Sequence, residues 1–353
     1  MFEVLHGCLA SLLRGIVRRE RSPISTLRQW LPVLAAVTLF APSAIAGTTS
    51  SDASGIWSLN LENSSITPTS PPDRNYTNGI GLGWTSAPGD VPLAGPAQRL
   101  LGPGAVRISL GIFQQIFTPD ETQINPPSPF ERPYAGYLAL HFGLIEDQPG
   151  AETMAAVDVG VIGPAAGGEE IQNGFHHLIG QEPDQGWGFQ LHDEPTLELS
   201  AGRTWRVPLG HVGGLETDVL PAAALGLGNV RIYAQAGALL RIGTDLDADF
   251  GPNRLPPGFA GSTVFEPSRP FSWYFFVGAD GQAVAHDLFL NGNTFSSSPH
   301  VTIYPYVGEL EGGFTMIVHG VRISAVQVFQ TRTWHGQQGS IFGFAALEIA
   351  TRF

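Results

Sequence analysis

Most of the chain alternates apolar with polar or small residues at a period of two, which is typical of β-strands whose two faces meet different environments. In the stretch PFSWYFFVGADGQAVAHD, residues 270–287, an apolar row alternates with a row that includes Ser272, Gly278 and Asp280. The pattern predicts twelve strands. They lie at residues 55–62, 77–86, 104–116, 134–146, 153–162, 195–207, 214–225, 229–243, 271–284, 300–310, 314–331 and 340–353.

Two architectures produce such strands. A soluble sandwich buries the apolar row, whereas an outer-membrane barrel turns it toward lipid and keeps polar groups in the lumen. The last stretch, GSIFGFAALEIATRF, ends on Phe353 with Ile349 and Leu347 at alternate positions before it, which resembles the assembly signal of bacterial outer-membrane proteins. We therefore expect an all-β, antiparallel transmembrane barrel of about twelve strands, with the sandwich as the alternative.

The N-terminus has the features of a secretory signal peptide. Arg28 precedes an apolar run at residues 31–40, and the small residues at 44–46 form a cleavage site. Residues 1–46 are thus predicted to be the leader, and residues 47–353 the barrel enzyme domain. Cys8, the single cysteine, lies in the leader, so no disulfide framework is expected.

The composition agrees with many short strands joined by turns, since the chain contains 44 Gly and 28 Pro. Its net charge of −13 argues against binding of nucleic acid. No run after the leader is apolar over the roughly 18 residues that a membrane-spanning helix needs.

The least regular segments fall in three connections. If both termini of the barrel lie in the periplasm, residues 63–76, 117–133 and 163–194 form the first three external loops. The third contains GFHHLIGQEPDQGWGFQLHDEP, which groups histidines and carboxylates within a few residues. The connection at residues 244–269 would be periplasmic, where turns are normally short.

A short helix is predicted at residues 169–179 of the third loop, after Pro164 and before Gly180. Gln172 and His176 are four residues apart and share one side of it. We expect its apolar side to pack against the barrel rim. That side consists of Ile171, Phe175, Leu178 and Ile179.

Five motifs in these loops together resemble the lipid A 3′-O-deacylase family, LpxR, of Gram-negative outer membranes. They are an asparagine-led pair at the end of the first strand, D-R-x-Y-T-x-G, R-P-Y-A-G, G-P followed by Q-x-x-x-H, and G-W-x-x-Q-L-x-x-E-P. The resemblance implies a twelve-stranded barrel that requires calcium and removes the 3′-linked acyloxyacyl group of lipid A. It also implies location in the outer membrane and lipopolysaccharide as the partner; we expect a monomer.

The family's catalytic residues correspond by motif to His176, Glu182, Asn63 and Thr77. Ser64 stands where the family has an aspartate, so the calcium site that the resemblance implies would be formed at Ser64 and Thr77. Serine is a poor substitute for a carboxylate as a calcium ligand.

The residues also suggest a mechanism. Ester hydrolysis without a serine or cysteine nucleophile needs a base that activates water and a positive group for the oxyanion. His176 can be the base, with Glu182 holding its other nitrogen, and calcium can polarise the ester carbonyl. Arg132, preceded by Glu131 where the family has aspartate, could bind a lipid phosphate or lie in the lumen beside an acid. Trp187 could contact substrate, shape the loop or lie at the membrane interface.

Three alternatives remain open at this point. The chain could be a lipid-binding or structural barrel that has lost its metal, a barrel phospholipase with a serine nucleophile such as Ser65, or a passive pore. The segment DLDADFG, residues 245–251, lacks the spacing of an EF-hand. The chain has no G-x-S-x-G and no H-E-x-x-H, which argues against the common serine hydrolases and zinc proteases.

Overall fold

The computed structural model describes residues 55–65, 74–89, 94–259 and 261–353, so the predicted leader lies outside the described residues. No helix in these ranges is long and apolar enough to cross a membrane. The helices are α1 (Ala94–Leu101), α2 (Gly168–Ile179) and α3 (Leu288–Asn291). The strands are β1 (Ile56–Asn63), β2 (Asn75–Thr85), β3 (Ala105–Thr118), β4 (Ala135–Gln148), β5 (Ala151–Ile162), β6 (Glu194–Trp205), β7 (Val207–Val212), β8 (Leu215–Gly228), β9 (Arg231–Gly243), β10 (Phe271–Asp287), β11 (Tyr306–Val318), β12 (Val321–Thr331) and β13 (Ile341–Arg352).

The strands form one closed antiparallel barrel. Each strand pairs with its neighbours along the chain, except that β6 pairs with β8 and not with β7, and β1 also pairs with β13. β6 and β7 follow each other with only Arg206 between them and both pair with β8, so they act as one long strand. The barrel therefore has twelve strands, and the predicted fold is confirmed. Closure through the pairs of β1 with β13 and of β6 with β8 removes the two free edges that an open sheet of these strands would have.

One predicted turn was wrong. The sequence pattern placed a break at residues 311–313, between strands at 300–310 and 314–331. In the structure Gly312 and Gly313 lie inside β11, and the hairpin turns at His319 and Gly320, both with positive φ. A side-chain carbon at Gly313 would lie 2.0 Å from the carbonyl oxygen of Ala325, so this glycine permits close strand approach.

The outer surface of the barrel is apolar. One row of outward residues is paired in register from β2 to β6, and each member is 44 to 50% exposed. We call this row the apolar ring; it consists of Leu82, Ile112, Leu140, Val159 and Leu197. Inward positions instead hold buried charges such as Arg107, Arg241 and Glu348. An apolar outside and a polar inside are typical of outer-membrane barrels and exclude the soluble sandwich.

The connection between β9 and β10 folds back into the barrel lumen. We call its described residues, 244–259 and 261–270, the plug. Leu246, Phe250 and Phe259 of the plug pack in one core cluster with inward residues of the strands, including Tyr274 and Phe344. This location explains the unusual length of the connection, because it fills the lumen.

Buried ion pairs fix the plug to the wall. Asp249 accepts from Arg241 at 2.6 Å and from Arg322 at 3.3 Å. Arg254 donates to Glu311 at 2.8 Å and to Glu309 at 3.3 Å. Buried charges are tolerated only when they are paired, and both Asp249 and Arg254 of the plug have partners of opposite charge on the wall.

Candidate functional site

Three outward-facing residues near the end of β3 form a covered patch on the outer wall. Side chains alternate along β3, so Gln114, Ile116 and Thr118 face outward like Ile112 of the apolar ring. Unlike Ile112, these three are buried. The β5–β6 loop, which contains α2, covers this part of the wall.

The start of α2 is fixed to β3 and β4. Gln114 Nε2 donates to the carbonyl oxygen of Ala166 at 2.6 Å, and Gly163 N donates to the carbonyl oxygen of Gly136 at 3.0 Å. A side-chain carbon at Gly136 would lie 2.9 Å from the main-chain nitrogen of Gly168, so the helix start touches the strand backbone. Two glycines thus allow α2 to lie directly on the barrel wall.

Trp187 packs between the start of α2 and the barrel wall. It is buried beside Ile116 and Tyr134, with its ring centroid 5.0 Å from that of Tyr134. A side-chain carbon on Gly168 would lie 3.0 Å from the indole. Trp187 therefore shapes the loop, and its predicted contact with substrate stays a prediction.

The predicted orientation of the helix was wrong. The buried residues of α2 are Gly168, Gln172 and His176, so its polar side faces the barrel. The apolar side is exposed instead, with Phe175 at 52% and Leu178 at 80%. The buried polar residues Gln172 and His176 have partners in the segment that follows the helix, at Asp184 and at the carbonyl oxygen of Glu182.

The imidazole of His176 is held by the residues that follow the helix. Its Nδ1 lies 3.2 Å from the main-chain carbonyl oxygen of Glu182 and 3.7 Å from Asp184 Oδ1. Gly180, with φ 73°, ends the helix and reverses the chain toward His176. Because a carbonyl oxygen only accepts, Nδ1 carries the proton and Nε2 can accept one.

Asp184 was missed by the sequence reasoning. Its carboxylate accepts from Gln172 Nε2 at 2.6 Å, and its main-chain nitrogen donates to Asn173 Oδ1 at 2.8 Å. The signal was present, since Gln172 and His176 share a helix side and Asp184 follows Glu182 closely. The main-chain carbonyl oxygen of Glu182 accepts from Nδ1 of His176, whereas the Glu182 side chain is exposed, so a role for its carboxylate stays a prediction.

Asn63, Ser64 and Thr77 come together at the ends of β1 and β2. Ser65 N donates to Asn63 Oδ1 at 2.6 Å, and Ser64 N donates to the carbonyl oxygen of Thr77 at 3.4 Å. Thr77 Oγ1 lies 2.7 Å from Thr118 Oγ1. The Ser64 hydroxyl is fully buried and has no hydrogen-bond partner among the described residues. An unmade buried hydrogen bond costs about 1–3 kcal/mol, so this oxygen is a candidate binding group.

These oxygens do not by themselves make a calcium site. Asn63, Ser64 and Thr77 offer only neutral oxygens, whereas calcium sites draw on carboxylates. Within the described ranges, no group of three or more His, Cys, Asp or Glu residues could hold a metal ion. The predicted metal ligands Ser64 and Thr77 therefore stay a prediction.

Arg132 lies on the lumen side of the wall. Its guanidinium carbon is 4.4 Å from the ring centroid of Phe117, an inward residue of β3, and 5.6 Å from that of Trp334. Burial lowers the pKa of Arg132 to about 10, while Asp287 and Asp120 oppose that shift. This position agrees with the lumen alternative, and phosphate binding stays a prediction.

The arginine of D-R-x-Y-T-x-G ties two loops together. Arg74 Nη1 lies 3.2 Å from Asp120 Oδ2, and Asp120 N donates to Glu131 Oε2 at 3.3 Å. Burial raises the pKa of both Asp120 and Glu131, and Arg74 lowers both. These residues connect the β1–β2 and β3–β4 loops beside the site.

An apolar outer ring, a plugged polar lumen and a histidine site on the outer wall together define an integral outer-membrane barrel with its site on the membrane side. The model of the family described as outer membrane protein LpxR matches residues 32–353. The chain therefore belongs to the LpxR family and is located in the outer membrane.

The first of two solved structures in the comparison agrees on the fold. LpxR from Salmonella typhimurium is 21% identical, with a TM-score of 0.70 over 84% of this chain and 100% of that one. The β domain of the Bordetella autotransporter BrkA is 12% identical, with a TM-score of 0.41 over 86% of this chain and 100% of that one. No curated protein sequence matches.

Proposed function

We propose that this protein is a carboxylic ester hydrolase that removes the 3′-linked acyloxyacyl group of lipid A at the outer leaflet of the outer membrane. Membership of the LpxR family supports the substrate. The observation that carries the proposal is the buried His176, held through Nδ1 on the outer wall of the barrel. A site there is reached by lipid from the side, without passage through the lumen.

His176 acts as the general base in this proposal. Nε2 takes a proton from water while the water oxygen attacks the ester carbonyl carbon. The Asp184 carboxylate stabilises the imidazolium that forms, as an acid beside a catalytic histidine does. The imidazolium then returns the proton to the departing 3′ oxygen of the sugar, which leaves the free fatty acid and a sugar hydroxyl.

Asn63, Ser64 and Thr77 are proposed to bind the ester group. The unpartnered Ser64 hydroxyl can donate to an oxygen that gains negative charge. A calcium requirement is a separate proposal that rests on the family resemblance, because the described residues lack the carboxylate such a site needs. No step above depends on it.

Mass spectrometry of lipid A tests the proposal directly. The detergent-refolded protein is incubated with lipid A in calcium and, separately, in EDTA, alongside His176→Ala. We expect lipid A to lose one acyloxyacyl unit with the native protein and to stay intact with His176→Ala. Both proteins should be folded. Activity that is present in calcium and absent in EDTA would support a calcium requirement. Equal activity in calcium and in EDTA would show that the reaction does not need calcium. Unchanged lipid A from a folded native barrel would contradict the hydrolase.

The alternative function is a lipid-binding or structural barrel without activity. Ser64 in place of the family aspartate favours it, since the metal site would be incomplete.

A passive pore is disfavoured by the plug, whose Arg254 and Phe250 are buried in the lumen. Conductance in planar bilayers tests the pore, and labelling by a serine-reactive phosphonate tests a serine phospholipase. We propose that the protein acts on lipopolysaccharide as a monomer.

A further inference from the structure

Helix α2 has three chemically different sides. Gly168, Gln172 and His176 face the barrel. At about 100° per residue, Ile171, Phe175 and Leu178 lie within roughly 60° of one another on a second side. All three are exposed. The third side is polar and also exposed; its residues are Glu169, Glu170 and His177.

The helix that carries the exposed apolar side starts on the same face of the wall as the apolar ring. Ile112 belongs to the ring, and Gln114, the next outward residue of β3, binds Ala166 just before the helix. The first helical residue, Gly168, lies against Gly136, four residues from Leu140 of the ring, so the helix starts roughly 14 Å beyond the ring. Between ring and helix, the paired outward residues Leu138 and Val161 are apolar and half-exposed. The membrane-facing surface therefore continues from the barrel onto the helix.

We propose that the apolar side of α2 is a membrane-docking surface that inserts among the acyl chains of the adjacent leaflet. The occupant is lipid, because this side continues the surface that the barrel already turns to lipid. An amphipathic helix of this kind lies in the membrane plane, with its apolar side about 5–10 Å into the headgroup and acyl boundary. Glu170 and His177 then face water.

This docking has a consequence for the site. Ile171, Phe175 and Leu178 face lipid while His176 faces the wall, so the histidine is held at the depth of the lipid headgroups. The inference rests on the outer-membrane location of the chain and does not require that the protein hydrolyses lipid A.

Spin labels on two adjacent residues test the proposal. Residues 47–353 contain no cysteine, so Leu178→Cys and His177→Cys can each be labelled specifically. Leu140→Cys in the apolar ring serves as the lipid-facing reference. Each protein is refolded into phosphatidylcholine vesicles, a heat-modifiable gel band verifies folding, and collision rates with oxygen and with a water-soluble nickel chelate are measured.

We expect the oxygen-to-nickel collision ratio of the label at residue 178 to be severalfold higher than that at residue 177 and close to that at residue 140. Equal ratios at residues 177 and 178 would overturn the proposal. The proposal would also be overturned if a second copy of the chain covered this side. In that case the label at residue 178 would be shielded from both reagents, and its spectrum would show dipolar broadening that disappears on dilution with unlabelled protein. These results are independent of activity, so a barrel without deacylase activity can still dock.

Discussion

The Nδ1 atom of His176 lies 3.2 Å from the main-chain carbonyl oxygen of Glu182 and not against its carboxylate. The carboxylate nearest to the ring is that of Asp184, at 3.7 Å from Nδ1. The orientation of the imidazole therefore depends on the main chain after Gly180. The acidic partner of His176 is the second carboxylate of the E-P-D stretch.

We predict that Glu182→Gln retains most of the deacylase activity, whereas Asp184→Asn loses it. Asparagine preserves the shape at residue 184 but removes the charge that stabilises the imidazolium. A loss of about tenfold or more corresponds to at least ~1.4 kcal/mol of barrier. The initial rate of acyl release from lipid A, followed by mass spectrometry, measures both variants.

Gln172→Leu is a useful companion variant, because Gln172 Nε2 donates to Asp184 Oδ2 at 2.6 Å. It should lower the rate less than Asp184→Asn, since the charge remains. A Glu182→Gln variant as inactive as Asp184→Asn would refute this division of roles.

The contact between Gly136 and Gly168 leads to a second prediction. Valine at residue 136 would place a side-chain carbon 2.9 Å from Gly168 N and 3.0 Å from Gly168 Cα, so α2 must move off the wall. Because a misplacement of about 1 Å can cost roughly 100-fold in rate, we expect a loss of that order with the barrel still closed. Lipid A mass spectrometry and the heat-modifiable gel band measure the two properties.

Gly174→Ala is the matched control on the same helix, since a side-chain carbon there meets nothing within 4 Å. It should leave both the rate and the folded band unchanged. Full activity in Gly136→Val would mean that the position of α2 on the wall does not matter for the reaction.

The strands could be predicted from the sequence because alternation along a barrel strand is imposed by two different environments. The same reasoning failed at Gly312 and Gly313. Glycine pairs mark turns in many sequences, and here they serve close strand packing instead. His319 and Gly320, with φ of 49° and 80°, make the actual turn.

The rest depends on the tertiary structure. The usual expectation that the apolar side of a helix packs inward assumes water outside, whereas α2 lies on a wall that faces lipid. The plug was not predicted, because its partners, such as Arg322 for Asp249, are far away in sequence. Asp184 and Glu182 lie in the same loop, and only the geometry distinguishes which carboxylate reaches His176.

Ser64→Asp tests whether the outer site can be given a metal. Residue 64 is fully buried, and an unpaired carboxylate there is unfavourable unless a cation binds it. In EDTA, we expect the melting temperature of this variant to be lower than that of the native protein. Calcium should raise the melting temperature of the variant again. The melting temperature in detergent, with and without calcium, measures the effect. If calcium does not change the melting temperature of Ser64→Asp, no calcium site forms at this position.

The plug provides a prediction about stability. The Arg254 guanidinium lies 2.8 Å from Glu311 and 3.3 Å from Glu309, and all three side chains are buried. Arg254→Ala leaves both glutamates without their cation, and breaking a buried ion pair in this way costs about 3–5 kcal/mol. Denaturant titration of the refolded protein in micelles measures the free energy of unfolding.

Arg269→Ala is the control for the loss of a plug arginine. Its side chain is 57% exposed and lies 3.9 Å from Glu216, so its removal should change the free energy of unfolding by no more than about 1 kcal/mol. If Arg254→Ala and Arg269→Ala destabilise the barrel equally, the buried pairs do not hold the plug. If Arg254→Ala also raises conductance in planar bilayers, then the same ion pairs that stabilise the plug keep the lumen closed.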